Sequence, residues 1–297
     1  MLNIHIIGNG TETYAIRSLL EVNQNQLPDD IKVNIFGEYY FRHSLVFTLN
    51  NHLKVADVVK TADIVICTDP VYEDQDIVSL CAEHNKPLFI TFSLENSSPS
   101  PNSLCFDGLN VADAASDLWI NRLIDTTNDI ISIEHFYGLS KLYDTGENAL
   151  PGISIEEYRA ATQHITGQPR LITLGQKYFY ASEVLTEYDN DIPVSYNWIT
   201  DTDHVDADRL DPQTEFIFHT VTRTKKAGDT TEFMRRSHMT SQNARSLSAW
   251  HYINACVVCS FVYMYMSNQL PSTGTDYNTI DHNTFSNNVY GKRFRIA

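Results

Sequence analysis

The chain has 297 residues, 42% hydrophobic and 20% charged, which excludes wholesale disorder and allows about two domains whose cores need neither disulfides nor structural metal. Its 37 acidic side chains outnumber 21 basic ones, and a net charge of −16 would repel a phosphate backbone, so nucleic acid is excluded as an expected partner. Five scattered cysteines, Cys67, Cys81, Cys105, Cys256 and Cys259, read as reduced thiols of a cytoplasmic protein rather than a disulfide framework.

The opening run has no basic signal-peptide segment. It reads as a first strand, Ile4–Ile7, ending at Gly8-Asn9-Gly10. Tyr14–Val22 then carries helical spacing through Ile16, Leu19 and Leu20. After a break at Pro28-Asp29-Asp30, Ile31–Phe36 reads as a second strand closing on Gly37. Leu53–Lys60 has a faint helical pattern, and Asp63–Cys67 is a continuous apolar run suited to a strand buried on both faces. Asp76–Glu83 reads as a helix, Pro87–Phe92 as a further strand and Glu95–Pro101 as a linker. Strand and helix alternating over short connections predict a parallel sheet with right-handed crossovers.

Past the linker, Val111–Asp125 reads as helix, followed by strands at Asp129–Phe136, Arg170–Tyr180, Val194–Thr200 and Glu215–Arg223 and a hairpin turn at Thr224–Asp229. Runs of strands with few helices predict a mixed or antiparallel sheet. A long helix returns from Ser241 to about Met266. Its apolar stretch Ala249–Met266 contains His251, Asn254 and Ser260 and lacks basic flanks, so it reads as a buried helix rather than a membrane span. Trp250, Tyr252 and Phe261 on it suit either the core or a homodimer interface. The expected fold is α/β: a Rossmann-type parallel-sheet domain over residues 1–110, and an α+β substrate and dimerisation domain over 111–240. Residues 241–297 form a helix and tail returning to the first domain.

The sharpest chemical signal is Gly8-Asn9-Gly10 between a strand and a helix. The first glycine permits a tight turn, and the second lets a pyrophosphate approach the backbone at the helix N-terminus. Gly8, Asn9, Gly10 and the following Thr11 are therefore candidate cofactor-binding residues. The third glycine of the pattern is replaced by Thr13, and Glu12 would repel the phosphates. Two readings stay open: dinucleotide binding, and a Rossmann-like sheet without its ligand. Glu38, after the second strand, would accept hydrogen bonds from ribose hydroxyls and favour NAD, whereas NADP would call on Arg42. Thr68-Asp69-Pro70 lies where ligands of open α/β sheets sit, making Thr68 a further cofactor candidate; a plain Asp-Pro turn is the alternative.

Other features read as structural. Cys256-Val257-Val258-Cys259 lies in an apolar helix, where cysteine behaves as a small hydrophobe. The histidines at 135, 204, 219, 238 and 251 lack metal-ligand spacing, so no metal site is expected. The acidic run Asp201–Asp208 lacks the mid-loop glycine and final glutamate of a calcium loop.

The order of these pieces resembles the meso-diaminopimelate dehydrogenase and saccharopine dehydrogenase-like amino-acid oxidoreductases. The resemblance rests on the opening strand with Gly8-Asn9-Gly10, Ala62–Thr68, Phe106-Asp107-Gly108, Phe136–Ser140 with Ala149–Ile153, and the late helix. It implies that Asp107 faces the substrate ammonium as the catalytic residue, and that Tyr137, Gly138 and Ser140 line the substrate pocket. It further implies hydride transfer at the C–N bond of an amino acid or opine-like imine. The family's NADP-dependent members have a basic pair where this chain has Glu38-Tyr39. The stretch from Phe92 to Asp107 is also shorter than the family's, so a truncated sheet is expected. A sugar oxidoreductase would need Glu-Lys-Pro where Thr91-Phe92-Ser93 stands. The rival reading from another class is a non-catalytic relative, a ligand-sensing or assembly protein.

Overall fold

The computed structural model describes residues 1–41, 44–49, 54–72, 76–94, 98–141, 170–174, 177–188, 192–200, 214–226, 229–239, 247–274 and 276–294. The chain divides into two compact units, Met1–Arg122 with His251–Ala297, and Leu123–Trp250.

The first unit is a six-stranded sheet ordered β3-β2-β1-β4-β5-β6, in which only the edge strand β3 runs antiparallel to its neighbour. Its strands are β1 (Leu2–Ile7), β2 (Ile31–Phe41), β3 (Ser44–Leu49), β4 (Ile64–Cys67), β5 (Leu88–Ile90) and β6 (Cys105–Phe106). Ile4, Ile6, Ile7 and all of Ile64–Cys67 are buried, as central strands covered on both faces require. Helix α1 (Gly10–Val22) buries Ala15, Ile16, Leu19 and Leu20. Helices α2 (Val55–Thr61) and α3 (Ile77–Glu83) pack Val58, Val59, Ile77, Val78 and Cys81 into one apolar cluster with β4 and β5.

Two expectations change here. First, β2 does not close on Gly37. It continues to Phe41 and pairs antiparallel with β3, Gly37 opposite Leu49. The run Tyr39-Tyr40-Phe41 suits a strand, but Arg42-His43 carries none of the glycine or asparagine that announces a hairpin. Second, the sheet is not cut short after β5: β6 pairs parallel with it, Leu88 opposite Cys105 and Phe89 opposite Phe106. The described residues between these two strands contain no helix.

After β6 comes a single wide turn, Val111–Ala115, and then α4 (Ser116–Thr126). Asn110 caps this entry, its side-chain oxygen accepting from Ala112 N and Asp113 N at 2.9 Å each. The buried Asn254 accepts from Val111 N at 3.0 Å, tying the entry to helix α5 (Ala249–Met266). Residues 251–262 of α5 are all buried, which explains why that helix is apolar all round. Among the described residues no helix is long and apolar enough to cross a membrane. All five cysteines are buried, and none forms a disulfide.

The tail, whose sequence announced nothing, is ordered by short polar contacts. Gly274 bridges to Leu104 beside β6, and Asp281 caps α6 (His282–Ser286) through Thr284 N at 2.9 Å. Asn288 accepts from Tyr290 N and Gly291 N at 2.9 and 2.8 Å. His282 lies edge-on to Trp119 at 5.8 Å, and burial, reinforced by Arg122, lowers its pKa from 6.5 to about 4. A histidine depressed in the folded state leaves stability intact above its unfolded pKa. That stability is lost as pH falls towards the folded value, because the unfolded chain takes the proton first. Stability is therefore expected to decline between about pH 6.5 and pH 4 by on the order of 2 kcal/mol from this group, and His282→Gln should flatten that part of the profile in urea melts.

The second unit is a mixed six-stranded sheet ordered β12-β11-β7-β10-β9-β8. Its strands are β7 (Ile130–Lys141), β8 (Arg170–Leu174), β9 (Lys177–Tyr188), β10 (Ile192–Thr200), β11 (Thr214–Lys226) and β12 (Asp229–Met239). Only β7 and β10 pair in parallel; the other neighbours are antiparallel. The expected single strand Arg170–Tyr180 is two strands, and β12 is the return strand that the expected hairpin turn at Thr224–Asp229 implies, Lys226 standing opposite Asp229. The fold is thus a Rossmann-type parallel sheet with a second unit built on a mixed sheet.

Candidate functional site

The strand order reverses direction between β1 and β4, and loops following the carboxyl ends of such strands flank the crevice where ligands of open α/β sheets bind. Gly8 N donates to Phe36 O and Thr68 N to Ile7 O, both at 3.0 Å, drawing the ends of β1 and β4 together beside the middle of β2. The junction leaves no room for side chains. A Cβ on Gly8 would meet the Thr68 hydroxyl, and one on Gly37 would meet the Gly8 carbonyl oxygen. Gly10 opens α1 at φ +90°, a conformation that side chains disfavour.

Thr13 fits where the third glycine is expected because its hydroxyl is engaged twice. It lies 2.6 Å from the Thr68 hydroxyl and donates to Asn9 O at 3.2 Å. The Asn9 side chain does not cap α1; its amide donates instead to Asp69 Oδ2 at 2.6 Å. Asp69 Oδ1 accepts from Val71 N at 3.0 Å, the asparagine-like turn allowed for at Asp69-Pro70. Thr68→Val, which removes one hydroxyl of a buried pair, is expected to cost about 0.5–1.5 kcal/mol in urea denaturation, with Thr68→Ser retaining most of the stability.

Gly8, Asn9, Gly10, Thr11 and Thr68 therefore come together. Glu38 lies on the extension of β2, opposite Thr48 of β3. This arrangement fits the phosphates of a dinucleotide: a helix N-terminus follows glycines whose missing Cβ atoms let backbone groups approach closely, and no side-chain cap from Asn9 occupies it.

Asp107 follows β6 on the same carboxyl edge, three strands from β1, or about 14 Å at ordinary strand spacing. Leu94 N donates to Asp107 Oδ2 at 2.9 Å, and among the described residues Oδ1 has no hydrogen-bond partner. Gly108, at φ +61°, turns the chain so that Gly108 N reaches Phe92 O at 2.9 Å. Nearby, Asp113 accepts from Asn110 Nδ2 at 2.8 Å and Ser93 Oγ at 3.3 Å. Tyr277 donates to Asp117 Oδ2 at 3.0 Å; burial and then that carboxylate hold its pKa above the usual phenol range. Asp113, Asp117 and Tyr277 were not anticipated, although Asn110-x-x-Asp113 is a helix-start pattern readable in advance.

Tyr137, Gly138 and Ser140 lie on β7 in the second unit. The Tyr137 side chain is fully buried, near-parallel to Tyr196 at 6.4 Å between centroids. His135 stacks on Tyr196 at 5.4 Å, and burial lowers its pKa to about 3. Arg42, His43, Ala149–Ile153 and Asp201–Asp208 lie outside the described residues.

Neither a protein-family model nor a curated protein sequence matches the chain. Its fold is nevertheless shared with solved dehydrogenases. Apo saccharopine dehydrogenase (L-Glu forming) from Saccharomyces cerevisiae superposes with a TM-score of 0.59 at 8% identity, over 99% of this chain and 96% of the other. An engineered D-amino acid dehydrogenase superposes with a TM-score of 0.50 at 11% identity, over 96% of each chain. The chain thus has the fold of the saccharopine dehydrogenase-like amino-acid oxidoreductases.

Proposed function

We propose that the protein is an NAD(P)-dependent oxidoreductase that acts on the C–N bond of an amino acid or opine-like imine. The observation that carries the reading is the glycine junction at the switch point, where Gly8, Gly10 and Gly37 bring the ends of β1 and β4 and the middle of β2 against the start of α1. Gly8, Asn9, Gly10, Thr11 and Thr68 would hold the cofactor phosphates, while Glu38 favours NAD over NADP through the ribose hydroxyls. The nicotinamide would supply the hydride chemistry. The chain's own part is to bind and orient: Asp107 Oδ1 would accept from the substrate ammonium while Leu94 N keeps the carboxylate in place. Tyr137, Gly138 and Ser140 are proposed substrate neighbours. Five buried thiols outside any disulfide favour a reducing compartment, hence the cytoplasm.

The test is consumption of NADH or NADPH by the purified protein with 2-oxo acids in the presence of ammonium or amino acids. Saturable turnover supports the reading; absence of binding to either nucleotide at millimolar concentration rejects it. One arrangement favours the non-catalytic alternative: Glu12 and Asp69 both place negative charge beside the glycine loop. The same nucleotide titration decides between the two.

A further inference from the structure

Two side-chain ties join the segment after β1 to the loop after β4, Thr13 in the first turn of α1 to Thr68 and Asn9 to Asp69. The second is charge-assisted and short, and its acceptor is fixed from the other side by Val71 N. Asn9 is the middle residue of the glycine loop, so the Asp69 carboxylate stands within a Debye length of whatever binds at the start of α1. No lysine or arginine is paired with Asp69 among the ion pairs of the described residues.

We infer that Asp69 sets the affinity of this crevice for phosphate-bearing ligands in two opposing ways: it positions the glycine loop through Asn9, and its charge weakens the binding of polyanions. This inference rests on the dinucleotide reading and assigns regulation of affinity to a residue outside the glycine pattern. The two effects are separable by substitution. Asn at this position carries no charge, keeps its one oxygen to accept from Val71 N, and retains the tie to Asn9 with its direction reversed, its Nδ2 donating to the Asn9 side-chain oxygen once that amide turns over. Alanine removes both the charge and the tie.

The experiment is calorimetric titration of wild type, Asp69→Asn and Asp69→Ala with NADH and, as an uncharged probe, adenosine, at low and physiological salt. Asp69→Asn is expected to bind NADH about three- to tenfold tighter than wild type at low salt, with the gain shrinking as salt rises and adenosine unaffected. Asp69→Ala is expected to fall well short of that gain, because Asn9 has lost its acceptor. No tightening in Asp69→Asn, or an equal gain for adenosine, overturns the role of the charge. Equal affinities of the two variants overturn the positioning role. If none of the three proteins binds NADH while all remain folded by circular dichroism, the cofactor reading itself falls, and the inference with it.

Discussion

Alanine at Gly37 is expected to destabilise the protein by about 2–4 kcal/mol and to abolish high-affinity nucleotide binding. Two causes act together. The residue holds φ +146°, and its added Cβ would collide with the Gly8 carbonyl oxygen and press on the Asn9 side chain. Both obstacles belong to the glycine loop, so relief requires moving the segment proposed to carry the phosphates. Gly274→Ala is the matched control. It has φ +142° as well, but the new Cβ would meet only Pro271 Cγ at 3.6 Å, an ordinary contact. Its cost should stay near about 1 kcal/mol, the backbone share alone. Thermal melts of both variants, with NADH titrations of whatever remains folded, measure the difference. Equal destabilisation of the two would mean that the close approach of β2 to the glycine loop contributes nothing.

Asp107→Asn should lower kcat/KM for the amino-acid substrate by about 10²–10³-fold while leaving NADH affinity within about twofold. Asparagine can still accept from Leu94 N, so the loop stays in place, while the charged acceptor proposed to face the substrate ammonium is replaced by a neutral NH2 donor. The split between turnover and cofactor affinity is the informative quantity. Asp107 follows β6 and the glycine loop follows β1, with β4 and β5 between them, so a local change at one should not reach the other. Parallel losses of turnover and cofactor affinity would assign Asp107 a structural role.

What was legible in the sequence was the part governed by burial. The runs Ile4–Ile7 and Asp63–Cys67 are apolar because β1 and β4 are covered on both faces, and both readings match within a residue or two. The glycines at 8 and 10 were legible as punctuation, at the end of β1 and the opening of α1, whereas Gly37 holds unusual backbone inside β2 rather than at its end. Contacts that depend on distant polar partners were not. Asn254 reads as one polar residue in an apolar helix, and only the fold shows it satisfying Val111 N, 143 positions away. Thr13 looked like damage to a pattern, yet it pairs with Thr68 across 55 positions. The β2–β3 hairpin was missed because its turn lacks turn chemistry, and Asp69 because nothing in Thr-Asp-Pro names Asn9 as its partner.

Hydrogen exchange of the full-length protein with and without NADH tests the central claim most directly. Binding at the glycine junction predicts slowed exchange of the amides from Gly10 to Thr13 and in the Thr68–Val71 turn, with the tail around Asn288–Gly291 unchanged. Unchanged exchange at Gly10–Thr13 under saturating NADH would contradict it.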